Sequence, residues 1–204
     1  MTATSERRTA SGAELQVAVR RSPIAAVGAV ARRAGRALGD REVWQPLLLP
    51  QMRRLGVDSI PIALFIAVFT GIVLALLASY IFTGTVPVYF VGALVGKTIM
   101  MELGPVLIGM ALAGRVGASI AAELGTMKVT EQVDALETLA YSPDSYLIVP
   151  RVLGATLMFP VVTAFGIAVG VGAGWITAIN LLDITSVEFA KGLRSFYQVK
   201  DLWF

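Results

Sequence analysis

A long stretch without charge most constrains the fold of this chain. From Ser59 to Gly96 there is no Asp, Glu, Lys or Arg over 38 residues, and a second uncharged run extends from Val152 to Leu182. A helix that crosses a bilayer needs about 20 apolar residues. The first run and its continuation are long enough for two such helices, and the second run is long enough for one. The sequence therefore predicts an all-α integral membrane protein with three transmembrane helices.

The limits of the three spans follow from turn signals and charges. The cluster Thr83–Pro87 disfavours a continuous helix. We therefore expect the first span at Ser59–Phe82 and the second at Val88–Ala113, with the third at Pro150–Leu182. Within the third span Gly166, Gly170 and Gly174 recur four residues apart. This spacing puts them on one helix face and predicts the close approach of another helix.

The composition excludes the commonest enzyme sites. The 204 residues include no Cys and no His, and only 15% are charged. Without thiolate or imidazole the chain cannot build a Cys or His metal site or a Ser-His-Asp triad. The segment Gly92–Thr98 resembles a phosphate-binding loop, but only three residues separate its glycines and it lies within a predicted span. We therefore predict no catalytic residue, no cofactor, no metal and no nucleic-acid partner.

The basic residues set the predicted orientation. Residues 1–57 hold ten Arg against four acids, whereas the whole chain has a net charge of only +3. Lys and Arg concentrate on the cytoplasmic side of membrane proteins. The N-terminus and the segment Gly114–Arg151 are therefore expected inside, and residues 183–204 outside. Residues 1–57 are predicted to form a basic tail with an amphipathic interfacial helix. Its apolar positions are Ile24, Val27, Val30 and Ala34, and its lipid-binding cations are Arg21, Arg32, Arg33 and Arg36.

The segment between the second and third spans has a different character. Val129, Val133, Leu136 and Ala140 recur at helical spacing and give one apolar face. This predicts an amphipathic cytoplasmic helix over Glu123–Ala140, either a solvated linker or a surface that receives force from a separate ATPase. The polar residues expected to contact that ATPase are Glu123, Lys128, Glu131, Gln132, Asp134 and Glu137.

Two ionisable residues lie inside the second predicted span. Charged groups are costly in lipid, so Lys97 and Glu102 are expected to be buried charges that face protein, a cavity or each other. Residues five apart do not share a face of an α-helix well. The pair either holds the bundle together or takes part directly in transport. Pro105 is expected to kink or thin the helix just after Glu102.

Several segments together resemble a known family. They are Phe69–Ala75, the motif Glu102-Leu-Gly-Pro-Val-Leu, the run from Ala113 to Glu137, and Tyr146-Leu-Ile-Val-Pro-Arg151. These segments closely resemble the MlaE/YrbE permeases, which are the membrane subunits of ABC transporters that work with MCE proteins. The resemblance extends from about Pro46 to the C-terminus.

The resemblance implies the permease subunit of a lipid transporter. Such a subunit lies in the bacterial inner membrane as a homodimer, and it moves lipids, typically phospholipids, between that membrane and an MCE protein on the outer face. Each copy binds a cytoplasmic ABC ATPase through the helix that matches Glu123–Ala140. The resemblance further implies that Leu74, Ile81 and Phe82 line the lipid cavity and that Glu102 joins a buried charge network.

The chain departs from the family pattern at three places. Met101 stands where the family usually has Arg, and Leu77 stands where it often has Gln, so both positions lose polarity. The family has five spans, two of them beyond the position of Phe204, and the Lys partner of Glu102 would lie there. Residues 58–204 are therefore expected to be a permease domain truncated at its C-terminus.

Two other functions fit the same spans. An ion-coupled secondary carrier would use Lys97 and Glu102 as its coupling pair, but the inverted repeat common in such carriers is not recognisable here. A non-transporting membrane anchor or assembly subunit would bind partners and move nothing. Transport in the absence of any ATPase would favour the carrier.

Overall fold

The computed structural model of the chain describes residues 35–82, 87–139, 143–182 and 184–195, together with Ile24, Val27, Gly28 and Arg32. These residues are helical apart from short turns, and no strand occurs among them. Within the described ranges, three helical stretches are long and apolar enough to cross a membrane: Arg41–Ile81, Phe90–Val129 and Asp144–Leu181. The predicted helical membrane fold is confirmed.

Each long stretch combines several helical elements. The first consists of α1 (Arg41–Gly56), a 3₁₀ turn (Val57–Ser59) and α2 (Ile60–Ile81). The second consists of α3 (Phe90–Thr98), a π-helix (Ile99–Ile108) and α4 (Gly109–Val129), and it is followed by the short helix α5 (Gln132–Thr138). The third consists of a π-helical turn (Asp144–Ile148) and α6 (Val149–Leu181), after which α7 covers Ser186–Ser195.

The helix limits follow from local chemistry. Pro61 lies in the first turn of α2, where a missing N–H costs nothing. The 22 residues of α2 extend about 33 Å, which matches a hydrocarbon core of about 30 Å. Helix α2 ends at Ile81 and α3 begins at Phe90, as the turn cluster predicted, although residues 83–86 lie outside the described part. The second long helix does not end at Ala113 but continues to Val129, well past the apolar stretch.

Packing divides the chain into two compact units. The first comprises residues 1–51 and 127–153, and the second comprises residues 52–126 and 154–204. In the first unit the buried Ser145 donates a hydrogen bond of 2.8 Å to the Asp40 carboxylate. The buried Arg151 donates one of 2.9 Å to the Leu147 carbonyl. This division does not test the predicted boundary at residue 57, which stays a prediction.

The core of the second unit is built from small and branched side chains. One cluster contains Leu74, Ala75 and Ala78 of α2 with Val91 and Val95 of α3, together with Ile99, Ala178, Ile184 and Phe189. A second cluster contains Ala63, Ala67, Ile108, Leu112 and Val162. Alanine is frequent on the inner face of α2, so neighbouring helices approach its backbone closely.

The glycine stripe of the third span makes the predicted close helix contact. A Cβ on Gly170 would lie 3.0 Å from the carbonyl oxygen of Ala67, and one on Gly174 would lie 2.7 Å from Cγ1 of Val95. A Cβ on Gly71 of α2 would collide with the carbonyl oxygen of Gly170. Backbone lies directly on backbone here, so α2 and α6 depend on glycine at the crossing.

The predicted interfacial helix falls mostly outside the described residues. Ile24 and Val27 are described as helical and exposed, as are Arg32 and Arg36. Arg21, Val30, Arg33 and Ala34 lie outside the described residues. The membrane-surface role of this segment therefore stays a prediction.

Candidate functional site

A cavity of about 340 Å³ opens beside α3 in the second unit. Most of its lining is apolar, and Lys97 and Glu102 are its charged residues. Volumes of this order, with a few polar groups on an apolar wall, are typical of small-ligand pockets. The described residues that line it are Phe82, Phe90, Ala93, Leu94, Lys97, Thr98, Met101 and Glu102.

Two aromatic rings stand where the helices α2 and α3 meet at this cavity. Phe82 directly follows α2 and Phe90 begins α3, and their ring centroids lie 6.4 Å apart at a tilted angle of 58°. This distance and tilt are favourable for an aromatic pair. The two phenyl rings therefore form an apolar side of the cavity.

The three residues predicted to line a lipid cavity have different positions. Phe82 lines the cavity described here. Ile81 is exposed on α2 and does not line it. Leu74 is buried in the core between α2 and α3, because Ala75 and Ala78 on the same side of α2 let the helices close around it. Leu74 therefore does not line this cavity, and its predicted contact with lipid stays a prediction.

Lys97 and Glu102 are not buried within the described chain. Both side chains are exposed, because the opposite side of the helix, with Val95, Gly96 and Ile99, packs into the core. Both face a cavity, which is one of the three surroundings predicted for them, and their role as buried charges stays a prediction. Although residues five apart do not share a face of an α-helix well, both side chains line the same cavity.

The π-helix explains how residues five apart come to line one cavity. Its hydrogen bonds join residue i to residue i+5, so residues five apart lie nearer to each other around the axis than in an α-helix. The π-helix runs from Ile99 to Ile108 and passes through Pro105 without ending. In an α-helix the Pro105 ring would clash with the carbonyl of Met101, and the wider winding relieves this clash. Pro105 therefore widens the helix, where the sequence predicted a kink or a thinner helix.

The two departures from the family pattern lie on exposed surface. Met101 is 40% exposed and lines the cavity, whereas Leu77 is 47% exposed on α2 and does not. Met101 thus adds an apolar wall beside Glu102 where an Arg would have added a cation. The replacement of Arg by Met101 therefore makes the charge of the cavity less positive.

The segment predicted as one amphipathic helix is interrupted. Helix α4 ends at Val129, and the Glu131 N–H donates a hydrogen bond of 3.3 Å to the Lys128 carbonyl. Glu131 has φ of 56°, in the left-handed region that ends many helices. Val129 is 85% exposed, so packing does not hold the first residue of the predicted apolar face, whereas Val133 and Leu136 are partly buried. The prediction of a continuous helix over Glu123–Ala140 is therefore wrong.

The six predicted coupling residues fall on different elements. Glu123 and Lys128 lie on α4, Glu131 lies in the turn, and Gln132, Asp134 and Glu137 lie on α5. Lys128 forms an exposed ion pair of 3.2 Å with Asp134 in the first unit. Glu123 forms one of 2.8 Å with Arg54 in the second unit. Glu131 and Gln132 are exposed, and the side chain of Glu137 lies outside the described part.

Sequence analysis missed a polar contact at the start of the first apolar run. Ser59 is completely buried, and its hydroxyl donates a hydrogen bond of 2.7 Å to the Leu55 carbonyl. The same hydroxyl accepts a hydrogen bond from Nη1 of Arg115. Arg115 and Ser59 are 56 positions apart, so no local pattern connects them. The one available signal was Arg115 itself, a lone cation at the end of an apolar run.

Comparisons with known proteins match the part of the chain that contains these segments. The family model described as Permease MlaE matches residues 48–204. A probable ABC transporter permease of Rickettsia typhi is 38% identical over 160 residues, which cover 78% of this chain and 62% of that protein. A probable ABC transporter permease of Synechocystis is 38% identical over 157 residues, which cover 76% of this chain and 59% of that protein.

A third relative has a more specific name. It is the intermembrane phospholipid transport system permease protein MlaE of Haemophilus influenzae, 35% identical over 144 residues. These cover 71% of this chain and 55% of that protein. The chain thus spans about three fifths of the length of the curated relatives that it matches.

Proposed function

We propose, from the premise that this chain belongs to the MlaE permease family, that it is the membrane subunit of an ABC transporter that moves phospholipids. The family match over residues 48–204, on a fold with three helices long enough to span a membrane, carries this proposal. ATP hydrolysis takes place on a separate chain. The name of the Haemophilus relative supports phospholipid as the substrate.

The cavity beside α3 has the chemistry that a phospholipid needs. An acyl chain fits against Phe82, Phe90 and Leu94, which offer apolar surface and no hydrogen-bond donors. The ammonium of Lys97 on the same wall is suited to a headgroup phosphate. Lipid therefore enters beside the junction of α2 and α3.

Transport through this cavity can be tested by filling it. In vesicles that contain the chain and its ATPase, Leu94→Trp is expected to slow ATP-dependent movement of a fluorescent phospholipid several-fold, because the indole occupies the space of the acyl chain. Leu157→Trp is the matched control, since Leu157 is half exposed on α6 and lies outside the cavity lining. Equal rates for the two variants would remove the cavity from the transport path.

The energy of transport enters through the end of α4 and through α5. Glu131, Gln132 and Asp134 present exposed polar groups between the second and third long helices, where a cytoplasmic ATPase can bind. We expect Glu131→Lys with Asp134→Lys to reduce ATPase recovery in pull-down, because both changes reverse the charge of this surface. Glu42→Lys reverses an exposed acid on α1 and serves as the control. Unchanged recovery with the double reversal would contradict the coupling role.

The complete transporter contains further subunits. We infer a second copy of this chain, an MCE protein on the outer face, and insertion in the bacterial inner membrane with a cytoplasmic N-terminus. The family resemblance supports the first two, and the Arg-rich segment 1–57 supports the orientation. Co-purification from solubilised membranes, followed by mass spectrometry, tests the ATPase and the MCE protein as partners. An ATPase and an MCE protein should be recovered with a stoichiometric phospholipid.

One observation favours a carrier as the second candidate function. Lys97 and Glu102 line one cavity, as an ion-coupling pair would. In vesicles that lack the ATPase, an ion gradient would then drive lipid movement. Movement that requires both the ATPase and ATP excludes this candidate. Binding of the ATPase without any lipid movement would instead favour an anchor or assembly subunit.

A further inference from the structure

A second pocket, of about 670 Å³, lies where α6 is followed by α7. Its lining includes Trp175 of α6 and two cations of α7, and no Asp or Glu occurs among the lining residues that the structure describes. Residues that line it include Trp175, Ser186, Val187, Lys191, Arg194 and Ser195. Neither the cavity at Lys97 nor the coupling segment shares any of these residues, so the proposed transport path leaves this pocket unexplained.

Helix α7 is held firmly with its basic face outward. Phe189 is 2% exposed in the core, and a Cβ on Gly192 would collide with the carbonyl oxygen of Tyr89. At the start of the helix, the Thr185 N–H donates a hydrogen bond of 3.2 Å to the Glu188 carboxylate. This is half of a capping box. Glu188, the acid of α7, is therefore bonded to the start of its own helix, and it does not line the pocket.

Lys191 and Arg194 lie together on the exposed side of α7. They are three residues apart and therefore neighbours on one helix face. The Lys191 ammonium lies 5.5 Å from the ring centroid of Tyr89, a cation–π distance that orders the side chain. The Ser195 hydroxyl donates to the Lys191 carbonyl at 2.7 Å. Among the described lining residues, the two cations and the Ser186 hydroxyl can donate to a ligand.

The surroundings of the two cations match a membrane surface. Trp175 is 43% exposed and stands six residues before the end of α6, about 9 Å along the helix axis. Tryptophan at the end of a spanning helix favours the headgroup level of the bilayer. Val187 is 73% exposed and adds apolar surface to the same pocket. A soluble anion needs neither the indole nor the valine, whereas a phospholipid uses both.

We propose that this pocket binds the phosphate of an anionic phospholipid at the membrane surface. The Arg194 guanidinium matches two phosphate oxygens in a planar fork, and Lys191 adds a point charge. Trp175 and Val187 contact the glycerol and the upper acyl chain. Basic pockets beside spanning helices bind lipid headgroups in this way. The bound lipid stays in place and is separate from any transported one, so the proposal does not rest on the proposed function.

Tryptophan fluorescence tests the site directly. The chain has three Trp, and Trp44→Phe with Trp203→Phe leaves Trp175 as the reporter. The full chain is placed in phosphatidylcholine vesicles that contain a minor fraction of either brominated phosphatidylglycerol or brominated phosphatidylcholine. We expect the phosphatidylglycerol to quench more strongly at equal fraction. Lys191→Ala with Arg194→Ala should abolish that difference.

Control variants distinguish the loss of this binding site from a general loss of positive charge. Arg41→Ala with Arg53→Ala removes the same charge from exposed positions of α1 and should leave the preference intact. Lys191→Arg with Arg194→Lys should retain most of it. Equal quenching by the two lipids in the reporter chain would overturn the proposal, as would a preference that survives the alanine pair.

A competition arm distinguishes lipid from free phosphate. Inorganic phosphate is added at constant ionic strength. If brominated phosphatidylglycerol still quenches the fluorescence in the presence of phosphate, the pocket binds the lipid. If millimolar phosphate abolishes the quenching, the pocket binds a free anion and the lipid assignment is overturned. Should the reporter chain not fold, the ratio of phosphatidylglycerol to phosphatidylethanolamine that co-purifies with the chain of native tryptophans replaces fluorescence. That ratio should fall in the alanine pair and not in the α1 control.

Discussion

At Gly71 the lack of a side chain decides whether two helices can meet. Its hydrogen faces the Gly170 carbonyl, and a methyl group there would strike backbone, which cannot move aside. Gly71→Ala is therefore expected to lower the free energy of unfolding by about 1–3 kcal/mol, the usual cost of overpacking. The measurement is thermal or denaturant unfolding in detergent, followed by helix content.

Gly172 on α6 provides the matched control for that substitution. A Cβ at Gly172 would meet nothing within 4 Å. Gly172→Ala should therefore raise stability by about 0.5–1 kcal/mol, because alanine loses less backbone entropy than glycine in a helix. If both alanines had the same effect, the glycine contact between α2 and α6 would be wrong.

Ser59 is a second residue whose effect on stability can be measured. Its buried hydroxyl donates to the Leu55 carbonyl and accepts from Arg115. Ser59→Ala leaves the Arg115 guanidinium without this acceptor and should cost about 1–3 kcal/mol. Ser119→Ala changes an exposed hydroxyl on α4 and should cost far less. Similar losses for both variants would contradict the role assigned to Ser59.

The glycine and serine contacts also show what a sequence can and cannot predict. The stripe Gly166, Gly170 and Gly174 predicted a close helix contact because its spacing is local. Neither Gly71 as its partner nor Ser59 as the partner of Arg115 could be predicted, since each pair is joined only by the folded backbone. A pattern in one segment shows a helix face and does not show what that face meets.

At the scale of elements, the turn between α4 and α5 depends on one backbone angle. Glu131 has φ of 56°, which an L residue with a Cβ adopts at a cost of about 1–2 kcal/mol. Glu131→Gly relieves that strain, and part of the gain is offset by the greater freedom of glycine in the unfolded chain. We expect the glycine variant to equal or exceed the stability of Glu131→Gln by up to about 1 kcal/mol.

Both substitutions at Glu131 remove the same carboxylate, so their difference isolates the backbone. Unfolding midpoints of the two variants in one detergent give the comparison. A glycine variant clearly less stable than the glutamine variant would mean that residues 129–132 continue as a helix in solution.

The apolar periodicity from Val129 to Leu136 could not have predicted this break. Periodicity indicates which side chains would share a face if the helix were continuous. It does not indicate the φ angle of a single residue such as Glu131. The π-helix at Ile99–Ile108 escaped prediction for the same reason. Pro105 signalled a disturbance, but only the fold decides whether a proline ends, bends or widens a helix.

For the whole molecule, the orientation of the three long helices gives a further prediction. The chain has no Cys, so single cysteines report their positions without background. Val129→Cys and Thr185→Cys replace exposed residues that precede and follow the third long helix. In intact spheroplasts an impermeant maleimide should label position 185 and not position 129. After permeabilisation both should react.

Labelling of both cysteines from the same side would show that the third long helix does not cross the membrane. Labelling of position 129 alone in intact cells would reverse the orientation predicted from the Arg-rich N-terminus. Helix content of each variant confirms that the chain is folded before the labelling is interpreted.

The fold class and the family could be predicted from sequence, and the family resemblance is confirmed by the match over residues 48–204. Span length and hydropathy are local quantities, and the motifs from Glu102 to Arg151 are contiguous. The cavity could be predicted only in part: Phe82, which follows α2, lines it and also packs against the core, whereas Leu74 is buried in that core and does not line it. Which residue lines the cavity depends on how α2 packs against α3, and no motif in the sequence specifies that packing.

The contact between Gly71 and Gly170 also has a mechanical consequence. Neither residue has a rotamer to exchange, so α2 and α6 have no low-energy way of slipping past each other at this point. A force applied to one helix therefore reaches the other through backbone contact, with no side chain between them at this point. We expect the two helices to move together at this crossing, and a motion that widens the cavity to displace α3, which meets α2 through side chains that include Leu74, Val91 and Val95.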